Sequence, residues 1–374
     1  MQKNTHRAWA EINLYTIENN FKNIQKRVGD CGVLCVIKAN AYGHGSIPVA
    51  QRLQEAGAAY LGVATVPEAI ELREHGITLP ILILGYVDDA DAPMVAHFDI
   101  TAAVYDYETA EVLSQAALRE GRKINVHFKL DTGMSRLGFP AQEQENTVRE
   151  ILRAAQLPGL YPTGIFTHFA VSDETSGQDF TQLQQSRFEA VCDALEARGL
   201  HLPVKHSANS GAVLQHPGSY MNMVRAGIIL YGYYPDRSIP RTLNLRPAMT
   251  VKAHVAQVHQ LQAGCPVSYG RTYVAPHDTR LAVLSIGYAD GYLRGKPGHA
   301  HVVIGGRIVP VVGRICMDMC MAELPDDLNV RRGDEAIIFG PDGVTAEDLA
   351  DSVDTITYEV LCAVSSRVPR IYID

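Results

Sequence analysis

The sequence predicts an α/β chain in two parts, a (β/α)8 barrel over residues 1–240 and a mainly β domain over 241–374. Three observations predict it. Short, unbroken apolar runs alternate with amphipathic stretches through the first two-thirds, as parallel strands covered by helices on their outer face do. The runs number about eight, the count that closes a TIM-type barrel. After about residue 240 the long helical stretches stop, and glycine turns divide β-rich segments.

In chain order, "ENNFKNIQKRV" has helical periodicity and "CGVLCVIK" is the first barrel strand, ending on Lys38. The later strands are "YLGVATV", "ILILGY", "ITAAVY", "INVHFKLD", "LYPTGIFTHF", "VKHSANS" and "NMVRAGIILYG". Helical stretches such as "YETAEVLSQAALREG" and "DFTQLQQSRFEAVCDALEARG" separate them. The proline-containing "YYPDRSIPRTLNLRP" is the linker. Beyond it, "PAMTVKAHVAQVHQLQAG", "RLAVLSIGYADG", "HVVIGGRIVPVVGRICMDMCMAEL" and "DEAIIFG" read as antiparallel strands.

Composition narrows the function. The chain has 374 residues, 47% hydrophobic and 20% charged, which is ordinary for a globular protein of two domains. Net charge is −8 with the acidic residues spread out, which speaks against a nucleic-acid surface. No apolar run reaches the roughly 18 residues that span a bilayer. The N-terminal "MQKNTHRAWAEINL" lacks the apolar core of a secretory signal, so a cytoplasmic location is expected. Seven cysteines do not read as a disulfide framework. The pairs Cys31/Cys35 and Cys316/Cys320 have zinc-like spacing, but they sit by apolar strands whose alternate residues share a face, so buried thiols are expected and no metal.

In such a barrel the chemistry sits at the C-terminal ends of the strands. Those ends supply Lys38 and Tyr42, then Lys129, Asp131 and Arg136, then His168, then His206, Asn209 and Ser210, and finally Arg225. The set is cationic and hydrogen-bonding, suits an anionic ligand, and lacks the carboxylate cluster a divalent metal needs. There is no G-x-S-x-G, no P-loop ("GYLRGKPG" has the wrong spacing), no G-x-G-x-x-G opening a helix and no H-E-x-x-H. Each residue also has a structural reading: a lysine whose ammonium reaches solvent, a hydrogen-bonded core histidine, rim ion pairs. Together they point further. A lysine amine among other cations becomes nucleophilic, and its usual partner is an aldehyde. Pyridoxal phosphate also needs a phosphate site, a wall for its ring and a group facing the pyridine nitrogen. "ANSGA" and "RAGI" suit the phosphate, His168 the ring and Arg225 the nitrogen.

At these residues the sequence resembles the alanine racemase family, pyridoxal-phosphate enzymes of fold type III. "VIKANAYGHG", "KLDTGMSRLGF", "THFA", "ANSGA", "VRAGIILYG", "VSYGRTY", "IGYADG", "GRICMDM" and "TYEVLC" resemble its blocks, in order and over essentially the whole chain. The resemblance implies that Lys38 holds pyridoxal 5'-phosphate covalently and that Tyr42 and Tyr358 bond its phosphate. Asn209, Ser210, Gly227 and Ile228 complete the cofactor site. His168 would lie beside the ring, Arg225 would face the nitrogen, and Arg136 would grip the substrate carboxylate. Lys129 matches a position that is often carbamylated, where the modified side chain orients that arginine.

The resemblance further implies a homodimer in which Tyr269 and Met317 enter the partner's site. Lys38 and Tyr269 would be the two bases that interconvert L- and D-alanine, supplying D-alanine for peptidoglycan or degrading one isomer. The competing readings are an amino-acid decarboxylase of the same fold type, a non-catalytic pyridoxal-phosphate-binding protein, and a barrel enzyme without this cofactor. "VSYGRTY" and "VRAGIILYG" resemble the racemase blocks rather than those of the decarboxylases. The non-catalytic proteins resemble the barrel alone, without a β domain.

Overall fold

Strands buried on both faces build the first sheet. Residues 5–296 and 298–374 are described in this structure, a computed structural model. Residues 1–4, at the start of the segment read for a secretory signal, and Pro297 of "GYLRGKPG" lie outside them. The chain divides into two units. One comprises Glu18–Ala41 and Ser46–Leu245. The other comprises Tyr42–Gly45, Arg246–Asp374 and the N-terminal segment through Ile17.

In the first unit all eight apolar runs become strands of one parallel sheet. Its order is Met223–Ala226, Gly32–Val36, Tyr60–Val63, Ile81–Ile83, Thr101–Val104, Ile124–Asp131, Leu160–Phe166 and Val204–His206. The N–H of Asn222 donates to Lys205 O (3.2 Å) and that of Arg225 to Ala208 O (2.9 Å), so the last strand also meets its predecessor and the sheet closes as a barrel. Ile81–Ile83 and Thr101–Val104 are buried at every position, as strands with side chains inside the barrel and under the helices must be. Each such valine, leucine or isoleucine contributes about 1.5–3 kcal/mol of burial. Outer helices start where side chains can take the free N–H groups. Thr65 and Glu68 form a capping box for Val66–Glu74, and Asp106 caps Tyr107–Arg119.

The second unit is mainly β, with an eight-stranded sheet around the long strand Met249–Leu261. That strand bends at irregularities in its register near Val251 and Val255. Its first half pairs with Ala8–Asn13 and Glu335–Phe339, and its second half pairs antiparallel with Thr279–Leu284. Ala8–Asn13, which falls within the 1–240 range by sequence position, therefore belongs to this sheet, with Trp9 buried beside His254 (ring centroids 5.0 Å). Two short helices, Ala346–Val353 and Thr357–Ala363, interrupt the β pattern.

The cysteine pairs correct one expectation. Cys35 and Cys320 lie on strands and are fully buried, but Cys31 and Cys316 sit in the turns before them. A shared strand face therefore does not explain the spacing. Turn contacts occupy the outer pair instead: Cys31 Sγ donates to Met221 O (3.1 Å), and Cys316 Sγ lies 3.5 Å from Ser268 Oγ. Among the described residues no helix is long and apolar enough to cross a membrane.

Candidate active site

Lys38 stands where the strand Gly32–Val36 turns out of the barrel, and the turn that follows is left-handed. Ala39, Asn40, Ala41 and Tyr42 have φ of 53, 53, 52 and 51°. For residues with a Cβ this costs roughly 1–2 kcal/mol each, so the surroundings must hold it. Ala39 N–H donates to Glu68 Oε1 (2.7 Å), Ala41 N–H to Ile37 O (2.8 Å) and Ser46 N–H to Asn40 Oδ1 (2.8 Å). Glu68 Oε2 meanwhile accepts the Ala64 N–H (2.7 Å), tying the turn to the next strand end.

Around that end the barrel unit gathers cations. Lys129 is buried, its Nζ donating to Leu84 O (3.0 Å) and lying 5.4 Å from the Phe166 ring centre. Burial first, then the charges of Arg136, Arg225 and Lys38, lower its pKa to about 8, with Asp131 opposing. The amine is therefore easier to deprotonate than that of an ordinary lysine. Arg136 is exposed on a loop shaped by Asp131, whose Oδ1 accepts the N–H of Gly133 (2.9 Å) and Ser135 (3.0 Å). Gly138 (φ 143°) is required there, because a Cβ would stand 2.3 Å from Asp131 N.

Arg225 is buried, and among the described residues no carboxylate pairs with it. Its Nη1 donates to His206 Nδ1 (3.0 Å) and His206 O (2.9 Å); its Nη2 donates to Thr167 O (2.6 Å) and Ser207 O (2.8 Å) and lies 3.4 Å from His168 Nδ1. Burial, then Arg136, lowers its pKa to about 9, so it is a cation at neutral pH. Burial, then the charge of Arg225, holds His168 well below the usual imidazole range.

Two helical starts meet beside these groups. Asn209 caps Ser210–Gln215, its Oδ1 accepting the Ala212 N–H (3.1 Å) and the Ser172 hydroxyl (2.6 Å). Ser210 Oγ accepts the Gly227 N–H (2.9 Å), which brings the start of the turn Ile228–Tyr231 against the start of that helix. First-turn N–H groups lack partners within their own helix and suit a phosphate.

The second unit carries the remaining candidates. Tyr42 is buried with its ring 5.9 Å from that of Tyr358, and burial raises its pKa. Gly43 (φ 80°) packs so closely that a Cβ would meet Leu361 O at 2.3 Å. Tyr269 sits on a strap whose neighbours Ser268, Gly270 and Arg271 have φ of 63, 71 and 47°. Ser268 Oγ donates to Arg314 O (2.6 Å), and the N–H groups of Tyr288 and Ala289 donate to Cys316 O and Met317 O (both 3.0 Å). The strap and the Met317 loop thus form one surface, with Tyr269 66% and Met317 52% exposed.

Several shaping residues were absent from the sequence-based site. Glu68 was legible as the last residue of the capping signal "TVPE", and His127 as a polar residue inside the apolar run "INVHFKLD". His127 and His206 are fully buried, and burial, then the charge of Arg225, lowers both pKa values, that of His127 to about 3. Below an unfolded value near 6.5 the unfolded chain binds protons that these imidazoles refuse. Stability should therefore fall as pH drops below about 6.5, by roughly 1.4 kcal/mol per pH unit for each independent imidazole. Urea midpoints at pH 7.5, 6 and 5 read this; a flat profile, or one that His127→Asn leaves as steep, overturns it.

The whole chain, rather than the site alone, is matched by known proteins. Residues 12–235 match the family model for the alanine racemase N-terminal domain, and residues 248–372 that for the C-terminal domain. The chain is 47% identical over 370 residues to an alanine racemase of Clostridium perfringens, covering 98% of this chain and 95% of that one. It is 42% identical to an alanine racemase of Methanococcus maripaludis, covering 99% of both. Its structure superimposes on alanine racemase of Clostridium difficile with a TM-score of 0.96 at 42% identity, covering 99% of this chain and 97% of that one. Both units are therefore accounted for by one family, and the chain belongs to the alanine racemases.

Proposed function

We propose that this enzyme interconverts L- and D-alanine with pyridoxal 5'-phosphate and two bases. The observation that carries the reading is the gathering of Lys38, Lys129, Arg136, His168 and Arg225 at one barrel end, with Asp131 opposing them at Lys129. These residues fit the cofactor: Lys38 to hold it covalently, His168 beside its ring, Arg225 at the ring nitrogen. Asn209, Ser210, Gly227 and Ile228 would take the phosphate, and Tyr42 and Tyr358 would bond it. When bound, pyridoxal phosphate withdraws electrons from the amino acid and acidifies its Cα–H.

The chain's own groups do the rest. Arg136 grips the substrate carboxylate in a bidentate pair. Lys129, whose lowered pKa leaves part of it as free amine, is suited to carbamylation, which would give Arg136 an anionic partner. Arg225, a cation at neutral pH that does not give up its proton readily, would leave the nitrogen of a bound ring unprotonated and so restrain side reactions. Lys38 Nζ takes the Cα proton from D-alanine, and Tyr269 Oη takes it from L-alanine. Whichever acted as base leaves the other to return a proton on the opposite face.

Tyr269 and Met317 are exposed within their own chain, which supports a homodimer in which they enter the partner's site and narrow it to a small side chain. A cytoplasmic enzyme supplying D-alanine for peptidoglycan, or degrading one isomer, follows from this reading. Chiral chromatography after incubation with L-alanine tests it. The expected result is an approach to equal amounts of the two enantiomers; loss of alanine with release of carbon dioxide would identify a decarboxylase instead, and unchanged L-alanine would exclude the reading.

A further inference from the structure

A line of hydrogen bonds runs from Arg225 into the barrel through two buried histidines. Arg225 Nη1 is 3.0 Å from His206 Nδ1, and His206 Nε2 is 2.9 Å from His127 Nδ1. A guanidinium only donates, so His206 Nδ1 accepts and carries no proton. Both imidazoles are kept neutral by burial and by the charge of Arg225, which leaves the single ring proton of His206 on Nε2. His206 therefore donates to His127 Nδ1, and His127 carries its own proton on Nε2. The order has one direction, because reversing either link sets donor against donor.

The line ends at His127. Among the described residues no group bonds its buried Nε2, and the ring is wedged against Gly164, where an added Cβ would stand 2.7 Å from Nε2. The Tyr60 ring lies beyond, 5.7 Å away and tilted by 50°. Phe166 stacks flat on His206 (4.8 Å, 7°), so the imidazole keeps its plane while its proton position is set by its two neighbours.

We propose that His127 is a positioning residue: by accepting from His206 Nε2–H it fixes the tautomer of His206, whose Nδ1 in turn aims Arg225. Catalytic consequence rests on the reading above, in which Arg225 faces the cofactor's ring nitrogen. Without the acceptor on His127, the His206 Nε2–H is buried and unsatisfied. The other tautomer then turns an N–H toward Arg225 and displaces the guanidinium from its partners.

Two variants separate the acceptor from the bulk. His127→Asn places an amide oxygen near the position of Nδ1 and keeps an acceptor; His127→Leu fills similar space without one. Nitrogen-15 spectra of the histidine-labelled holoenzyme read the ring protons directly. The expected result is a wild type with His206 and His127 both protonated on Nε2 alone. The leucine variant should show an altered His206 tautomer and a kcat lower by about tenfold, with KM for alanine little changed. The asparagine variant should recover most of both. A wild-type His206 protonated on Nδ1, or a leucine variant with unaltered tautomer or unaltered kcat, would overturn the inference. A wild type that does not racemise alanine is a failure of the proposed function instead, visible before any variant is made.

Discussion

Tyr269→Phe should lower Cα-proton loss from L-alanine by roughly 10²–10⁴-fold while leaving proton loss from D-alanine and the covalently held cofactor in place. The substitution removes one oxygen and keeps the ring. The strap under it is held by Ser268 and by backbone bonds rather than by the tyrosine hydroxyl, and the side chain is mostly exposed in its own chain. The variant should therefore unfold at the wild-type denaturant concentration, so that lost exchange reports lost chemistry. Exchange of the Cα proton with deuterated solvent, followed separately from each enantiomer, is the measurement. Equal residual exchange from both would mean that Tyr269 and Lys38 do not serve opposite faces.

The larger effect is expected at Lys38. Lys38→Ala removes both the attachment of the cofactor and the second base, and should lower racemisation by about 10⁴-fold or more in both directions. The visible absorbance of covalently held cofactor should disappear with it. The same change removes a neighbouring charge that lowers the pKa of Lys129 and His168, so Lys129 should bind its proton more tightly in the variant. Retained absorbance that borohydride still fixes to the protein would place the attachment on another lysine and end the present assignment.

The barrel was legible because a strand buried on both faces must be apolar at every position, and such runs are visible without knowing what covers them. The site was legible in part for the same reason. Lys38, Lys129, His168 and Arg225 interrupt or end those runs, where a charge or imidazole is costly unless it has a role. The N-terminal strand was not legible, because only pairing reveals its partners, and those are Met249–Leu261 and Arg370–Ile373, far along the chain. The left-handed turn after Lys38 carried no warning either. Its residues are alanine, asparagine, alanine and tyrosine, and the bonds that hold it come from Glu68, Ile37 and Ser46.

From residue types and their spacing came the two-part fold and the character of the candidate site, a strand-end lysine among cations that suit an anionic ligand. The resemblance to the alanine racemases supplied the family and Tyr269 as candidate base. These depend on local pattern, which a sequence displays directly. Only the tertiary structure decided what state those groups are in. Lys129 loses affinity for its proton because burial and three other cations surround it, and Arg225 is aimed by carbonyls and imidazoles from separate strands. The proton order through His206 and His127 follows from which nitrogen faces which donor. Such properties depend on distance and burial, and those exist only once the strands have been brought side by side.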